Sequence, residues 1–149
     1  MTFLQELLNN RILIAGVCAW LTAQVLKTII HAIVNKSIDF SRLVGDGGMP
    51  SGHSATVSAV ATMCGLTCGG SSPVFAVSAT LAIITCHDAM NSRQEIGKQA
   101  AVLNKIIRDV LEGENPETVL EEFVGHTPFQ VAAGILLGIL VAYAMYYWI

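Results

Sequence analysis

The chain predicts an all-α fold: an integral membrane helical bundle of about four transmembrane helices with an amphipathic helical insertion on its cytoplasmic side. Three observations carry this expectation. Of 149 residues, 53% are hydrophobic and 13% charged, roughly half of the ~25% charged share usual in soluble domains, and the mean hydropathy is +0.59. The apolar residues gather in four runs, at 12–34, 55–68, 74–86 and 131–149. Between the last two runs, Ile96, Leu103, Ile106, Ile107, Val110 and Leu111 recur at helical spacing inside a polar stretch, the mark of an amphipathic helix. The length suits one domain, 1–149, with 91–125 as an insertion.

Residues 2–10 form a short amphipathic lead-in, with Phe3, Leu4, Leu7 and Leu8 on one face. A basic n-region and a small-residue cleavage site are both missing here, so a cleaved signal peptide is not expected. The run 12–34 has 23 residues, enough to cross a bilayer with some tilt. It carries Gln24, Lys27 and His31 toward its C-terminal end. His31 reads as reaching for the interface. Lys27 lies two turns inside the span, where an ionisable side chain is a functional candidate.

A polar loop follows over 35–50, with Lys36, Asp39, Arg42 and Asp46. It ends in Gly45-Asp46-Gly47-Gly48-Met49-Pro50-Ser51-Gly52-His53-Ser54-Ala55. Four glycines and a proline let a backbone bend closely around a ligand. Pro50 suits a first helical turn, and Ser51 and Ser54 can cap it. A helix N-terminus offers free N–H groups and a positive dipole end to an anion. His53 stands where it can give a proton to an oxygen leaving a bound phosphate.

The runs 55–68 and 74–86 flank the turn Gly69-Gly70-Ser71-Ser72-Pro73. Both are short for a full crossing, so the glycine-rich N-terminus is expected below the membrane surface. In the polar stretch 87–127, the apolar spacing predicts a helix of about four turns, lying on the membrane or packed on the bundle. Asn115-Pro116-Glu117 reads as the cap and first turn of another short helix ending near Gly125. The last span closes with Tyr143, Tyr146, Tyr147 and Trp148 as an interfacial belt. Cys18, Cys64, Cys68 and Cys86 all sit in apolar runs and read as small packing residues. Cys64 and Cys68 share a helix face, but no third ligand completes a metal site.

Four spans put 35–50 and 87–127 on one face. That face holds Lys36, Arg42, Arg93, Lys98, Lys105 and Arg108, against Arg11 alone on the other. The positive-inside rule makes it cytoplasmic. It also receives Lys27, Ser51, Gly52, His53, Asp88 and His126, from chain-distant segments. A net charge of −3 without a basic tract argues against nucleic acid.

Pro50-Ser51-Gly52-His53 resembles the second signature of the type 2 phosphatidic acid phosphatases (PAP2), a superfamily that includes the vanadium haloperoxidases. His126-Thr127-Pro128-Phe129-Gln130-Val131-Ala132-Ala133-Gly134 resembles its third, a His-x-Pro-x-Asp-Val-x-x-Gly pattern at a helix start. Together with Asp88 and Arg93, Gly97-Lys98-Gln99-Ala100 and Leu103-Asn104, these motifs are similar to the divergent bacterial and plastid branch of that group. The likeness runs from Gln24 onward.

The resemblance implies hydrolysis of a phosphomonoester or diphosphate with no metal or other cofactor. His126 would be the nucleophile, forming a phosphohistidine, and His53 would protonate the leaving group. Lys27, Arg42 and Arg93, with the backbone N–H groups of Ser51 and Gly52, would hold the phosphoryl oxygens. Cations and helix N-termini suit that reaction, which needs positioning and charge stabilisation above all. Three departures stand out. Arg93 lies 33 residues before the nucleophile, Lys27 and Arg42 are 15 apart with Leu43 after them, and Gln130 replaces the aspartate that orients the nucleophile. An amide can hold a ring N–H but cannot stabilise imidazolium by charge. Either Asp88 takes that part, or the nucleophile is weaker; a salt bridge from Asp88 to Arg93 and a plain helix-end position are its other readings. His87 reads as interfacial.

The expected protein is a lipid phosphate phosphatase of a bacterial inner membrane or plastid-type membrane, its site facing the cytoplasm. Phosphatidylglycerophosphate, phosphatidate and a polyprenyl phosphate or diphosphate all fit. Its partners are then membrane lipids and that lipid phosphate, not nucleic acid, and self-association into a homo-oligomer stays open. A non-catalytic lipid-phosphate binder or carrier is the rival reading. A small structural subunit would leave the clustered histidines and arginines unexplained.

Overall fold

All regular structure among the described residues is helical. The computed structural model describes residues 2–36, 48–110, 120 and 125–148, without the side chains of 92–94 and 108–110. The elements are α1 (Phe3–Leu8), α2 (Arg11–Asn35), α3 (Gly52–Cys68), α4 (Pro73–Met90), α5 (Ser92–Val110) and α6 (Pro128–Trp148). The short helix expected after Asn115 and the loop carrying Arg42 lie outside the described residues.

Local chemistry sets most boundaries. Asn10 caps α2 by accepting from the Leu13 N–H at 3.1 Å, and α2 ends at Lys36 in the left-handed region (φ 51°). Ser51 caps α3, its Oγ accepting from the Ser54 N–H at 3.4 Å, and Gly69 ends α3 at φ 86°. Pro50 stands before this cap rather than inside the first turn, and Ser54 supports the cap by donating its hydroxyl to Ser51 Oγ at 3.1 Å. Ser72 caps α4, with Pro73 as its first residue. Thr127 and Gln130 form a reciprocal capping box on α6: Gln130 N–H donates to Thr127 Oγ1 (3.3 Å), and Thr127 N–H donates to Gln130 Oε1 (3.0 Å).

By length and composition, α2, a run over Pro73–Ile107 that takes in α4, and α6 are able to cross a membrane. The fourth expected span, α3, has 17 residues. At 1.5 Å per residue it reaches only about 25 Å, short of a hydrocarbon core of about 30 Å. α3 instead forms the middle of the bundle, packed by α6, α2 and α4.

The core is made of small side chains. Ala15, Ala19 and Ala23 from α2, Ala55, Ala59 and Met63 from α3, and Ala142 and Met145 from α6 form its main cluster. Large residues such as Val77, Ile83, Ile84, Leu136 and Leu140 face outward. Small inside and large outside is how membrane helices pack, since lipid tails already solvate leucine and isoleucine. Gly134 and Gly138 carry this furthest. A Cβ on Gly134 would fall 2.5 Å from the Ser51 carbonyl oxygen, and one on Gly138 would overlap the Ala55 carbonyl. α3 and α6 therefore meet backbone to backbone, running in the same direction.

That arrangement gathers the C-terminal ends of α2 and α4 and the N-terminal ends of α3 and α6 at one end of the bundle. Ser51 N–H donates to the Gln130 carbonyl (3.1 Å), and His126 N–H donates to the Ala89 carbonyl (3.0 Å).

Candidate functional site

A cavity of about 330 Å³ opens where these helix ends meet. α2 contributes Trp20, Gln24 and Lys27, α3 contributes Gly52, His53, Thr56 and Val57, α4 contributes Thr85, and His126 enters just before α6. Lys27, Gly52, His53 and His126 were all expected at a phosphate site, and here they line one cavity.

Lys27 is 5% exposed. Gly48 covers its aliphatic stem: a Cβ there would fall 3.1 Å from Lys27 Cγ, and Gly48 has φ +79°, a conformation that favours glycine. The chain just before α3 thus lies over the lysine, and the ammonium is carried on a packed stem. His126 is 2% exposed. The rings of His53 and His126 have centroids 6.2 Å apart at 57°, near enough for one phosphorus centre to engage both.

Gln130 Oε1 stands 3.4 Å from His126 Nδ1. Because Oε1 already accepts from the Thr127 N–H, it presents a lone pair and not a donor to the ring. The tautomer that suits this oxygen carries its proton on Nδ1 and its lone pair on Nε2. Of the two candidates for orienting the ring, Gln130 is the one that stands beside it. Asp88 is exposed on α4 and does not line the cavity; it is Ala89, one residue on, whose carbonyl touches the His126 backbone. His87 is exposed, with Nε2 2.9 Å from Asn91 Nδ2 at the helix end.

One expectation is corrected. The Ser51 N–H donates to the Gln130 carbonyl and is not available to a phosphoryl oxygen. Ser51 is fully buried, and its part is to cap α3 and tie it to α6. Gly52 lines the cavity in its place, in the first turn of α3, where N–H groups have no partner within the helix. Arg42 and the Arg93 side chain lie outside the described residues.

Trp20, Gln24, Thr56, Val57 and Thr85 were not read as site residues. Spacing held a signal for two of them. Trp20 and Gln24 precede Lys27 by seven and three residues, so the three share a helix face. Thr56, Val57 and Thr85 become site residues only through packing.

Comparison with known proteins adds two likenesses. A family model described as the divergent PAP2 family matches residues 8–141. An uncharacterized membrane protein of Bacillus subtilis (strain 168), YuiD, is 39% identical over 155 residues, covering 96% of this chain and 98% of its own length. No solved structure matches the chain significantly.

Proposed function

The chain belongs to the divergent PAP2 family, and from that premise we propose that it is a lipid phosphate phosphatase working through a phosphohistidine. The observation that carries this reading is the facing pair His53 and His126 in one cavity with Lys27. In the first step His126 Nε2 forms a bond to phosphorus, the ester P–O bond breaks, and protonated His53 gives its proton to the departing alcohol oxygen. Water then attacks the phosphohistidine, His53 takes its proton, the P–N bond breaks, and inorganic phosphate leaves. Lys27 and the first-turn N–H groups of α3 balance charge on the phosphoryl oxygens. Arg42 and Arg93 are proposed to complete that cradle. The charge distribution of the loops supports a site on the cytoplasmic side. The phosphate of a substrate would stay near headgroup level while its tails leave into the bilayer, since 330 Å³ holds a headgroup and not a whole lipid.

Trapping tests the reading. Protein mixed with phosphorus-labelled lipid phosphate should carry an acid-labile, base-stable phosphoryl group, and His126→Ala should lose both label and turnover. Near-normal turnover by His126→Ala would move the attack to a water activated by His53. His53→Ala should slow poor leaving groups most.

Gln130 supports a second reading, that of a lipid-phosphate binder or carrier. It supplies no negative charge to an imidazolium, so the anion site can persist without rapid chemistry. Phosphate release from detergent-solubilised protein separates the two: a binder takes up the lipid and frees none.

A further inference from the structure

Gln24 is 5% exposed, yet its side-chain oxygen is buried with no hydrogen-bond partner. Buried amide oxygens are almost always satisfied, and an orphan calls for an explanation. Gln24 lines the same cavity as Lys27, three residues before it on α2, so it lies about 4.5 Å deeper along the helix. Trp20 follows one turn deeper still. Both side chains meet over Gly52: the point where a Gly52 Cβ would stand is 3.8 Å from Trp20 Nε1 and 4.0 Å from Gln24 Oε1. With no side chain on Gly52 to separate them, the amide acceptor and the indole donor border one stretch of the cavity.

We propose that Gln24 and Trp20 read a free hydroxyl on the leaving alcohol of the substrate. A hydroxyl does what both walls ask, since it donates to Gln24 Oε1 and accepts from the Trp20 N–H. A methylene can do neither, and a fully ionised phosphate oxygen cannot donate. The inference rests on the phosphatase reading and narrows it. With phosphate beside Lys27, the hydroxyl belongs on the carbon next to the phosphate-bearing one, as in the glycerol phosphate headgroup of phosphatidylglycerophosphate. Phosphatidate has that oxygen acylated, and a polyprenyl phosphate has none.

The test uses the full chain in detergent micelles, with Trp148→Phe so that Trp20 is the remaining tryptophan of two. Turnover and Trp20 fluorescence are followed with phosphatidylglycerophosphate, phosphatidate, a polyprenyl phosphate, and a phosphatidylpropanediol phosphate lacking only the headgroup hydroxyl. A site built to bond a hydroxyl rejects analogues without it strongly, so kcat/KM should favour phosphatidylglycerophosphate by at least roughly 10²-fold. Gln24→Met should erase that preference, bringing phosphatidylglycerophosphate down to the level of the propanediol analogue, because the acceptor is lost. Equal turnover of the propanediol analogue and its parent overturns the proposal and leaves the phosphatase reading standing; this arm needs no variant. Equal loss on every substrate in Gln24→Met also overturns it. A Trp20 response selective for phosphatidylglycerophosphate, lost in Gln24→Met and accompanied by no turnover, supports the hydroxyl site and sinks the phosphatase. With neither response nor turnover from any of the four lipids, both fall.

Discussion

Gln130 serves two neighbours with one oxygen: the Thr127 N–H that starts α6 and the ring of His126. Its side chain is held by helix capping, and the histidine is held by that side chain. Gln130→Ala should therefore lower kcat by about 10²-fold, the usual cost of a misplaced reacting group, while Asp88→Asn on the exposed face of α4 should stay within about twofold. Steady-state rates on one lipid phosphate check both, and the reverse order would return the orienting part to Asp88. Lys27→Met should cost about 10²–10³-fold if its ammonium faces the phosphoryl oxygens. Lys105→Met, on exposed α5, should change little; similar small effects would make Lys27 a topology signal only. Lys27, His53 and His126 stood out as candidates in the sequence because ionisable residues are scarce in so apolar a chain, and the two histidines lie in runs that resemble known signatures. Gln130 was legible only as a missing acid. Its capping part is written in the sequence as Thr-x-x-Gln, at Thr127 and Gln130. Gln24 was hidden further, since a neutral amide near the end of a span reads as interfacial until packing leaves it unpaired.

Among the helices, α3 is the one whose place the pattern did not disclose. After His53 its run, Leu66 apart, holds only Gly, Ala, Ser, Thr, Val, Met and Cys and is weakly apolar all round, and such a run reads as a short span. Burial comes from the other helices approaching it, which is a tertiary fact. The limits of α2, α4 and α6 were readable to within a few residues, because caps and prolines stand where the apolar runs begin. The small residues of α6 make a sharp prediction. Gly134→Ala puts a methyl against the Ser51 carbonyl, an atom that cannot rotate away, and should destabilise the bundle by about 1–3 kcal/mol. Gly70→Ala, with open space around it, should be near neutral. Thermal unfolding in detergent distinguishes them, and equal midpoints would show that α3 and α6 are not in backbone contact.

For the molecule in its bilayer, composition told most: an apolar chain with six cations in two loops predicts both a membrane bundle and its orientation. In a chain whose four cysteines are replaced by serine, an impermeant thiol reagent applied outside intact cells should label Trp148→Cys and miss Lys105→Cys. Labelling of Lys105→Cys instead would turn the site outward, toward a different lipid pool. A last consequence follows from how the helices touch. α6 meets α3 through main-chain atoms, whereas α2 meets α3 through side chains, Trp20 over Gly52 and Val60 over Gly16. The backbone contact between α3 and α6 thus fixes where the two helix starts that carry the imidazoles stand relative to each other. α2, carrying Lys27, joins them through side chains, which can repack where main-chain atoms cannot. A substitution in α2 should therefore be absorbed locally, while one that parts α3 from α6 should part the two histidines.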